Sequence, residues 1–317
     1  DALDLFACGD LVALGKLADR VRRKKHGDAC YYVVNRHINY SNYCVDSCLF
    51  CSFARKPGQE GGYAFTPEQI LERAKDLDRI GASELHIVGG HHPDLPFSFY
   101  KNMLRGLHER HPKVTLKCFT AAEILYFADK FGMTIETVLK RLIACGLGML
   151  PGGGAEVLSE RVRKKLCRDK GTTEEWLSVH RTAHTLGLKS NATLLYGHIE
   201  TAEEKVEHLF HIRDLQDETG GFSCFIPLAY HHENNRLGKL PEPTGVDNLK
   251  HIAIARLVLD NVPHIKAYWP MLGVRTAQAA LSFGADDLDG TVVEEKIYHM
   301  AGAATPQEMS EKDLRAL

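Results

Sequence analysis

Three cysteines within eight residues, Cys44, Cys48 and Cys51, are the part of this sequence whose type and spacing point most directly to chemistry. The run Cys44-Val-Asp-Ser-Cys48-Leu-Phe-Cys51 has the spacing CxxxCxxC, and a compact loop of this kind can grip one face of an iron-sulfur cubane. Such clusters are usually held by four thiolates, so three leave one iron open to another group. Zinc is the alternative: it also takes thiolates, but structural sites want four ligands and commonly pair one CxxC with another. No second pair is present, although a histidine such as His37 would complete a site. Plain burial of the three explains the run least well, because its neighbours are mostly polar. The other six of the nine cysteines (Cys8, Cys30, Cys118, Cys145, Cys167 and Cys224) are scattered singly among apolar neighbours and read as small core residues in a reducing compartment.

The elements around the loop repeat one unit. Leu3 to Lys25 reads as an opening helix, Cys30 to Val34 as a strand, and Asn35 to Asn42 as a polar loop leading to the cysteines. Thr66-Pro-Glu-Gln69 supplies an N-cap, a first-turn proline and a capping-box glutamine for a helix running to Gly81. Strands follow at 85–88, 114–119, 147–150, 190–195, 222–229 and 264–268, with helices at 134–144, 172–186, 201–218, 246–259 and 276–283 between or after them. A less certain strand lies at 291–293, and Pro306 to Leu317 looks like a helix cut short. Repeated short apolar strands and helices imply an α/β fold with a parallel sheet. The number of units favours a closed or nearly closed (β/α) TIM-type barrel over an open doubly wound sheet. The expected organisation is an N-terminal helical segment, 1–27, and one barrel domain, 28–317, with a C-terminal extension.

Catalytic groups in such barrels lie on loops after the strands. Those loops hold the three cysteines, Gly89-Gly-His-His-Pro-Asp94, Thr120-Ala-Ala-Glu123, Pro151-Gly-Gly-Gly-Ala-Glu156, Tyr196-Gly-His-Ile-Glu200 and His231-His-Glu-Asn-Asn235. His91, His92, His198 and His231 are candidates for moving a proton or orienting a carboxylate, with a structural hydrogen bond as the plain alternative. Gly152, Gly153 and Gly154 allow close backbone approach to a ligand, or serve a tight turn.

CxxxCxxC with an aromatic residue, here Phe50, before the last cysteine resembles the signature of the radical S-adenosylmethionine superfamily. The resemblance implies a [4Fe-4S] cluster on Cys44, Cys48 and Cys51. It further implies that S-adenosylmethionine chelates the fourth iron and is split to a 5'-deoxyadenosyl radical. It places the methionyl amine at Gly89-Gly90, with His91 standing where many members carry an acid. Longer stretches resemble the aminofutalosine synthase family of the menaquinone futalosine pathway over nearly the whole chain. They are Asn35-Arg-His-Ile-Asn-Tyr40, Gly89-Gly-His-His-Pro-Asp-Leu-Pro96, Leu150-Pro-Gly-Gly-Gly-Ala-Glu156, Asn191-Ala-Thr-Leu-Leu-Tyr-Gly-His-Ile-Glu-Thr201, Leu215-Gln-Asp-Glu-Thr-Gly-Gly-Phe222 and Asp289-Gly-Thr-Val-Val-Glu-Glu-Lys-Ile297. Dehypoxanthine futalosine cyclases and deazaflavin (F420) precursor synthases share the cysteines and much of the barrel pattern; the closing Asp289 stretch weighs toward the synthase family.

That family resemblance implies 3-[(1-carboxyvinyl)oxy]benzoate as substrate. The adenosyl radical adds to the alkene, the aryl group migrates and a carboxyl group ends as bicarbonate, giving 6-amino-6-deoxyfutalosine and methionine. An electron donor such as flavodoxin or ferredoxin is implied. Two substrate carboxylates call for cations or hydrogen-bond donors. Arg36 is the first candidate and Arg181 a weaker one, a surface arginine being the alternative for each. Tyr196 and His198, with Glu200 in the same loop, are further catalytic candidates, and Glu123 and Asn191 are candidate ribose or methionyl contacts. Glu294 and Glu295 are expected to cap or bridge the barrel's closure.

The chain has 317 residues, 44% of them hydrophobic and 25% charged, and a formal net charge of -2. That charge leaves no strongly basic face for nucleic acid. No apolar run approaches membrane-spanning length and the first residues lack a signal peptide's pattern, so a cytoplasmic protein without membrane partners is expected. A hydrogen-abstracting cyclase is the rival within enzymes, and a zinc-stabilised binding protein the rival outside them.

Overall fold

In the computed structural model, which describes residues 2–238 and 240–317, the alternating pattern becomes a curled parallel sheet with helices outside. The strands are β1 (Tyr31–Val33), β2 (Asn35–Ile38), β3 (Glu84–Ile87), β4 (Thr115–Cys118), β5 (Met149–Leu150), β6 (Lys189–Tyr196), β7 (Phe222–Ala229), β8 (His264–Ile265) and β9 (Asp287–Gly290). Strands β2 to β8 form one seven-stranded sheet in sequence order, every pair parallel. The right-handed β-helix-β crossovers put the helices on the outer face.

β9 joins the two edges of this sheet. It pairs with β1 through Tyr31↔Asp287 and Val33↔Gly290, and single bridges link Lys266 to Asp287 and Arg36 to Val293. The backbone N–H of Ala267 donates to Asp287 at 2.8 Å on one side, and that of His37 donates to Val293 at 2.9 Å on the other. Gly290 is required at this seam, since a Cβ there would lie 2.1 Å from the Val33 carbonyl oxygen. Asn35 locks it: its side-chain oxygen accepts the Val292 N–H at 2.8 Å, and its own N–H donates to Thr291 Oγ1 at 3.0 Å. The strand expected at 291–293 therefore starts earlier, at Asp287, and reaches Val293 only through the isolated bridge.

Several elements differ from the expectation. The opening helix is two, Ala2–Ala7 and Leu11–His26, because Gly9 interrupts it and Asp10 caps the second by accepting the Ala13 N–H. Residues 35–38 are strand rather than loop. The helix begun by the Thr66/Gln69 capping box stops at Arg73. Besides three short helices of four to seven residues, two longer ones are absent from the sequence expectation, Phe97–Arg110 and Ala121–Lys130. The first begins after Pro96 with no side-chain cap, and in the second Thr120-Ala-Ala-Glu123 is a capping box rather than a loop. Among the described residues, no helix is long and apolar enough to cross a membrane.

Candidate active site

The cysteine run sits at the C-terminal end of the barrel, after β2, in a segment with almost no regular structure. Its backbone is held from outside. Lys56 Nζ donates to the carbonyls of Cys44, Val45 and Asp46 at 3.0, 2.6 and 2.8 Å. The Cys44 and Val45 N–H groups donate to Arg55 and His91 carbonyls, both at 3.0 Å. With the backbone satisfied this way, the three sulfurs face one cavity of about 270 Å³ that opens into the barrel.

Burial pushes the Cys44 thiol up to about 11, with the Asp46 charge adding to it, and pushes the Cys48 thiol well above its ordinary value. A metal bound here would displace the thiol protons, since only the thiolate coordinates. The Cys44 sulfur also accepts the His91 N–H at 3.4 Å. His91 is fixed in turn by Asp46, 3.0 Å from its Nδ1, and by stacking on Tyr126.

Gly89 and Gly90 lie directly against the cysteine loop. A Cβ on Gly90 would come within 2.3 Å of the Tyr43 carbonyl oxygen, and one on Gly89 within 2.5 Å of the Tyr40 ring. Glu123 ties this corner together, its carboxylate accepting from the Gly89 N–H, the Tyr40 hydroxyl and the Thr120 N–H at 3.2, 2.9 and 2.8 Å. Burial raises the Glu123 carboxyl above the usual carboxylate range, against the pull of these donors. Across the cavity, Gly152 packs on the β6 backbone, where a Cβ would meet Ala192 at 2.7 Å, and its carbonyl accepts the Thr193 hydroxyl at 2.8 Å.

All eleven residues expected to hold the cluster or the cofactor line this one cavity: Cys44, Cys48, Cys51, Phe50, Gly89, Gly90, His91, Glu123, Gly152, Gly153 and Asn191. The side-chain oxygens of Asn191 and Asn39 are buried here with no protein partner, as is His37 Nε2. Unmet donors and acceptors beside three thiols fit a chelating, hydroxyl- and amine-rich cofactor such as S-adenosylmethionine.

The three expected catalytic side chains are not brought to the cavity. Arg36 alternates with inward-facing His37 on β2 and points out of the barrel, where it makes a bidentate pair with Asp76 at 2.6 and 3.2 Å. Tyr196 faces the helix Gly245–Val258, donating to Asn248 Oδ1 at 2.7 Å and stacking on His251. His198 is enclosed in its own loop, with Nδ1 2.9 Å from Glu200 and Nε2 2.9 Å from the Leu195 carbonyl. Although burial alone would raise it, the bonds from His198 and the loop N–H groups hold Glu200 at about 2. Arg181 pairs with Glu174 and Glu218 on the exterior. Of the other histidines, His231 lines the cavity and bonds the Met271 carbonyl, while His92 accepts the Asp94 N–H with its ring and does not line it. Glu294 pairs with Arg73, and Glu295 caps the short helix Ile297–Met300 from the cavity wall.

In place of the expected arginine, the cavity floor carries polar groups on inward-facing strand positions. His37 and His86 stack with centroids 4.5 Å apart, and burial lowers both, leaving neutral imidazoles. Lys117 on β4 pairs with Glu84 at 2.6 Å. Just beneath, Lys266 bonds Asp289 and lies 3.6 Å from Asp287. Burial lifts Asp287 to about 6, whereas Lys266 and Lys117 hold Asp289 down against the same effect. Of these residues the sequence singles out only His37, as a fourth zinc ligand, yet a signal for Lys117 is present: a lone lysine in the apolar strand 114–119 has to be paired or functional.

A model of the radical SAM superfamily matches residues 38–212, and one of the CofH/MqnC C-terminal region matches 219–313. An aminodeoxyfutalosine synthase of Thermus thermophilus is 46% identical over 318 residues, covering 99% of this chain and 86% of that protein. One of Streptomyces coelicolor is 45% identical, covering 99% and 84%. A 5-amino-6-(D-ribitylamino)uracil–L-tyrosine 4-hydroxyphenyl transferase of Archaeoglobus fulgidus is 40% identical over 95% of this chain and 88% of its own. Among solved structures, methylornithine synthase matches all of this chain and 89% of its own with a TM-score of 0.78 at 18% identity, a likeness of fold.

Proposed function

The chain belongs to the radical SAM superfamily, whose enzymes work with a [4Fe-4S] cluster and S-adenosylmethionine, and on that premise we propose that it is an aminodeoxyfutalosine-forming transferase. In this reading it joins the adenosyl group to 3-[(1-carboxyvinyl)oxy]benzoate. The observation that carries the reading is the near full-length likeness to two aminodeoxyfutalosine synthases, closer than that to the hydroxyphenyl transferase.

When bound, the cluster and S-adenosylmethionine supply a carbon-centred adenosyl radical. The chain's residues do the rest. Cys44, Cys48 and Cys51 hold the metal. The unpartnered Asn39 and Asn191 oxygens accept from cofactor amine or ribose hydroxyl groups, and the glycines at 152 and 153 let the backbone come close. Leu195, Ile226 and Leu228, with Tyr268 and Tyr298, give the apolar wall an aromatic substrate needs and keep water away from a reactive intermediate. The carboxylate-holding role assigned from the sequence to Arg36 passes here to Lys117. Its ammonium has donors beyond the one engaged with Glu84, and His37 offers an unpartnered ring nitrogen beside it. A one-electron donor such as flavodoxin or ferredoxin completes the reaction. Nine cysteines with no disulfide among them suit a reducing cytoplasm.

The test is a choice of acceptor. Reduced enzyme and S-adenosylmethionine are offered anaerobically 3-[(1-carboxyvinyl)oxy]benzoate, dehypoxanthine futalosine, or 5-amino-6-(D-ribitylamino)uracil with tyrosine, and products are identified by mass spectrometry. The first acceptor is expected to give methionine and an adenosine-aryl adduct in equal amounts. Release of 5'-deoxyadenosine as the main product, together with conversion of either other acceptor, would overturn the reading.

A further inference from the structure

The carbonyls of the cysteine loop are turned outward, onto cations that are themselves exposed. Beyond the three held by Lys56, Arg236 Nη2 donates to the Ser47 carbonyl at 2.6 Å, and the Arg236 and Leu237 N–H groups donate to that of Leu49 at 2.8 and 2.9 Å. Both Lys56 and Arg236 are exposed. The loop's N–H groups bring a second segment alongside: Leu49 donates to the Leu166 carbonyl at 2.9 Å and Ser47 to Asp169 Oδ2 at 3.0 Å. That segment adds Lys165 and Arg168, the latter with 76% of its side chain exposed. The acid these contacts bring in, Asp169, accepts the Ser47 N–H with one oxygen and lies 3.6 Å from Arg168 with the other, so the positive excess of the patch rests on Lys56, Lys165 and Arg236. Val45, which follows Cys44 in the loop and gives its carbonyl to Lys56, is 44% exposed.

A positive patch on a chain of net charge -2 marks a local purpose. Here it surrounds the one stretch of surface whose covalent backbone runs straight into the metal ligands. We propose that this face is the docking surface for a small acidic redox protein, which gives up one electron to the cluster. The donor is oxidised by one electron and the cluster reduced by one, with no bond or proton moved. The apolar Val45 supplies a dry centre and the cations a steering rim, the usual division between close contact and approach. The proposal rests on the cluster alone and holds whichever acceptor the enzyme uses.

The double variant Lys165→Glu/Arg168→Glu tests it without touching the loop's carbonyl contacts. An acidic flavodoxin is the probe, its affinity for the holoenzyme measured by calorimetry and its rate of cluster reduction by stopped-flow absorbance. Both are expected to weaken at least about tenfold in the variant at low salt, and the wild-type rate to fall as ionic strength rises. Iron content and turnover driven by dithionite stay unchanged. Lys24→Glu/Lys25→Glu, a charge-matched control at the end of the helix Leu11–His26, leaves the flavodoxin rate as it was. An unchanged affinity and a salt-independent rate in the loop variant, or an equal loss in the control, would overturn the proposal. A failed acceptor assignment would leave both readouts intact.

Discussion

At one end of the cavity three thiols sit on consecutive turns of a single loop, and Lys56 holds the loop's carbonyls from outside. At the other end Lys117, Glu84, His37, His86, Lys266, Asp287 and Asp289 arrive one or two at a time from separate strands and hold one another. The loop is oriented by contacts outside the cavity, so its chemistry is set locally. The floor consists of buried charges whose protonation depends on their neighbours: Asp287 rises to about 6 while Asp289, beside the same lysine, is held down. A change at the loop removes a ligand; a change at the floor leaves a partner buried and unpaired.

That contrast can be broken by substitution. Cys48→Ala is expected to abolish turnover and lower iron and sulfide content, whereas Cys118→Ala and Cys224→Ala, buried in the core away from the cavity, leave both intact. Iron retained at full activity in Cys48→Ala would remove the loop from the account. Lys117→Met should destabilise by about 3–5 kcal/mol in urea unfolding, the cost of leaving a buried charge without its partner. Adding Glu84→Gln should recover most of it, and equal stability of the single and double variants would deny the coupling. Gly90→Ala forces a Cβ against the Tyr43 carbonyl, costing about 1–3 kcal/mol and lowering iron content by displacing the loop.

The smallest effect concerns pH at the wall between the two ends. The hydrogen bond to Glu295 lifts His299 from its ordinary 6.5 to about 9. A raised histidine contributes stability fully below about 6.5 and loses it as pH rises through about 9. The melting temperature should therefore fall across that window in the wild type more than in His299→Gln; parallel profiles would show the pair contributes nothing.

The same contrast explains what the sequence made legible. The three cysteines, the glycines at 89, 90, 152 and 153 and six of the seven strands of the main sheet could be read because each is announced by neighbouring residues: fixed cysteine spacing, glycine pairs after strands, short apolar runs between capping boxes. The floor could not, because His37, His86, Lys117 and Lys266 are single residues whose inward direction depends on strand parity, and a one-residue error in register reverses it. Arg36 is the clear instance. It stands next to His37 in a segment read as loop; once that segment is strand, one side chain must face the cavity and the other must not. Tyr196 and His198 went astray similarly, since being near a strand's C-terminal end does not decide which side of the sheet a side chain takes.

The central claim is that the two ends have separate tasks, the loop governing cleavage of S-adenosylmethionine and the floor holding the acceptor. The most direct test is a single-turnover reaction of Lys117→Met/Glu84→Gln with 3-[(1-carboxyvinyl)oxy]benzoate, quantifying 5'-deoxyadenosine, methionine and adduct together. Methionine formation should persist while adduct falls by about 10²-fold and 5'-deoxyadenosine rises to replace it, since a misplacement of about 1 Å is enough for such a loss. Adduct and methionine falling in equal proportion, or neither falling, would contradict the division of labour.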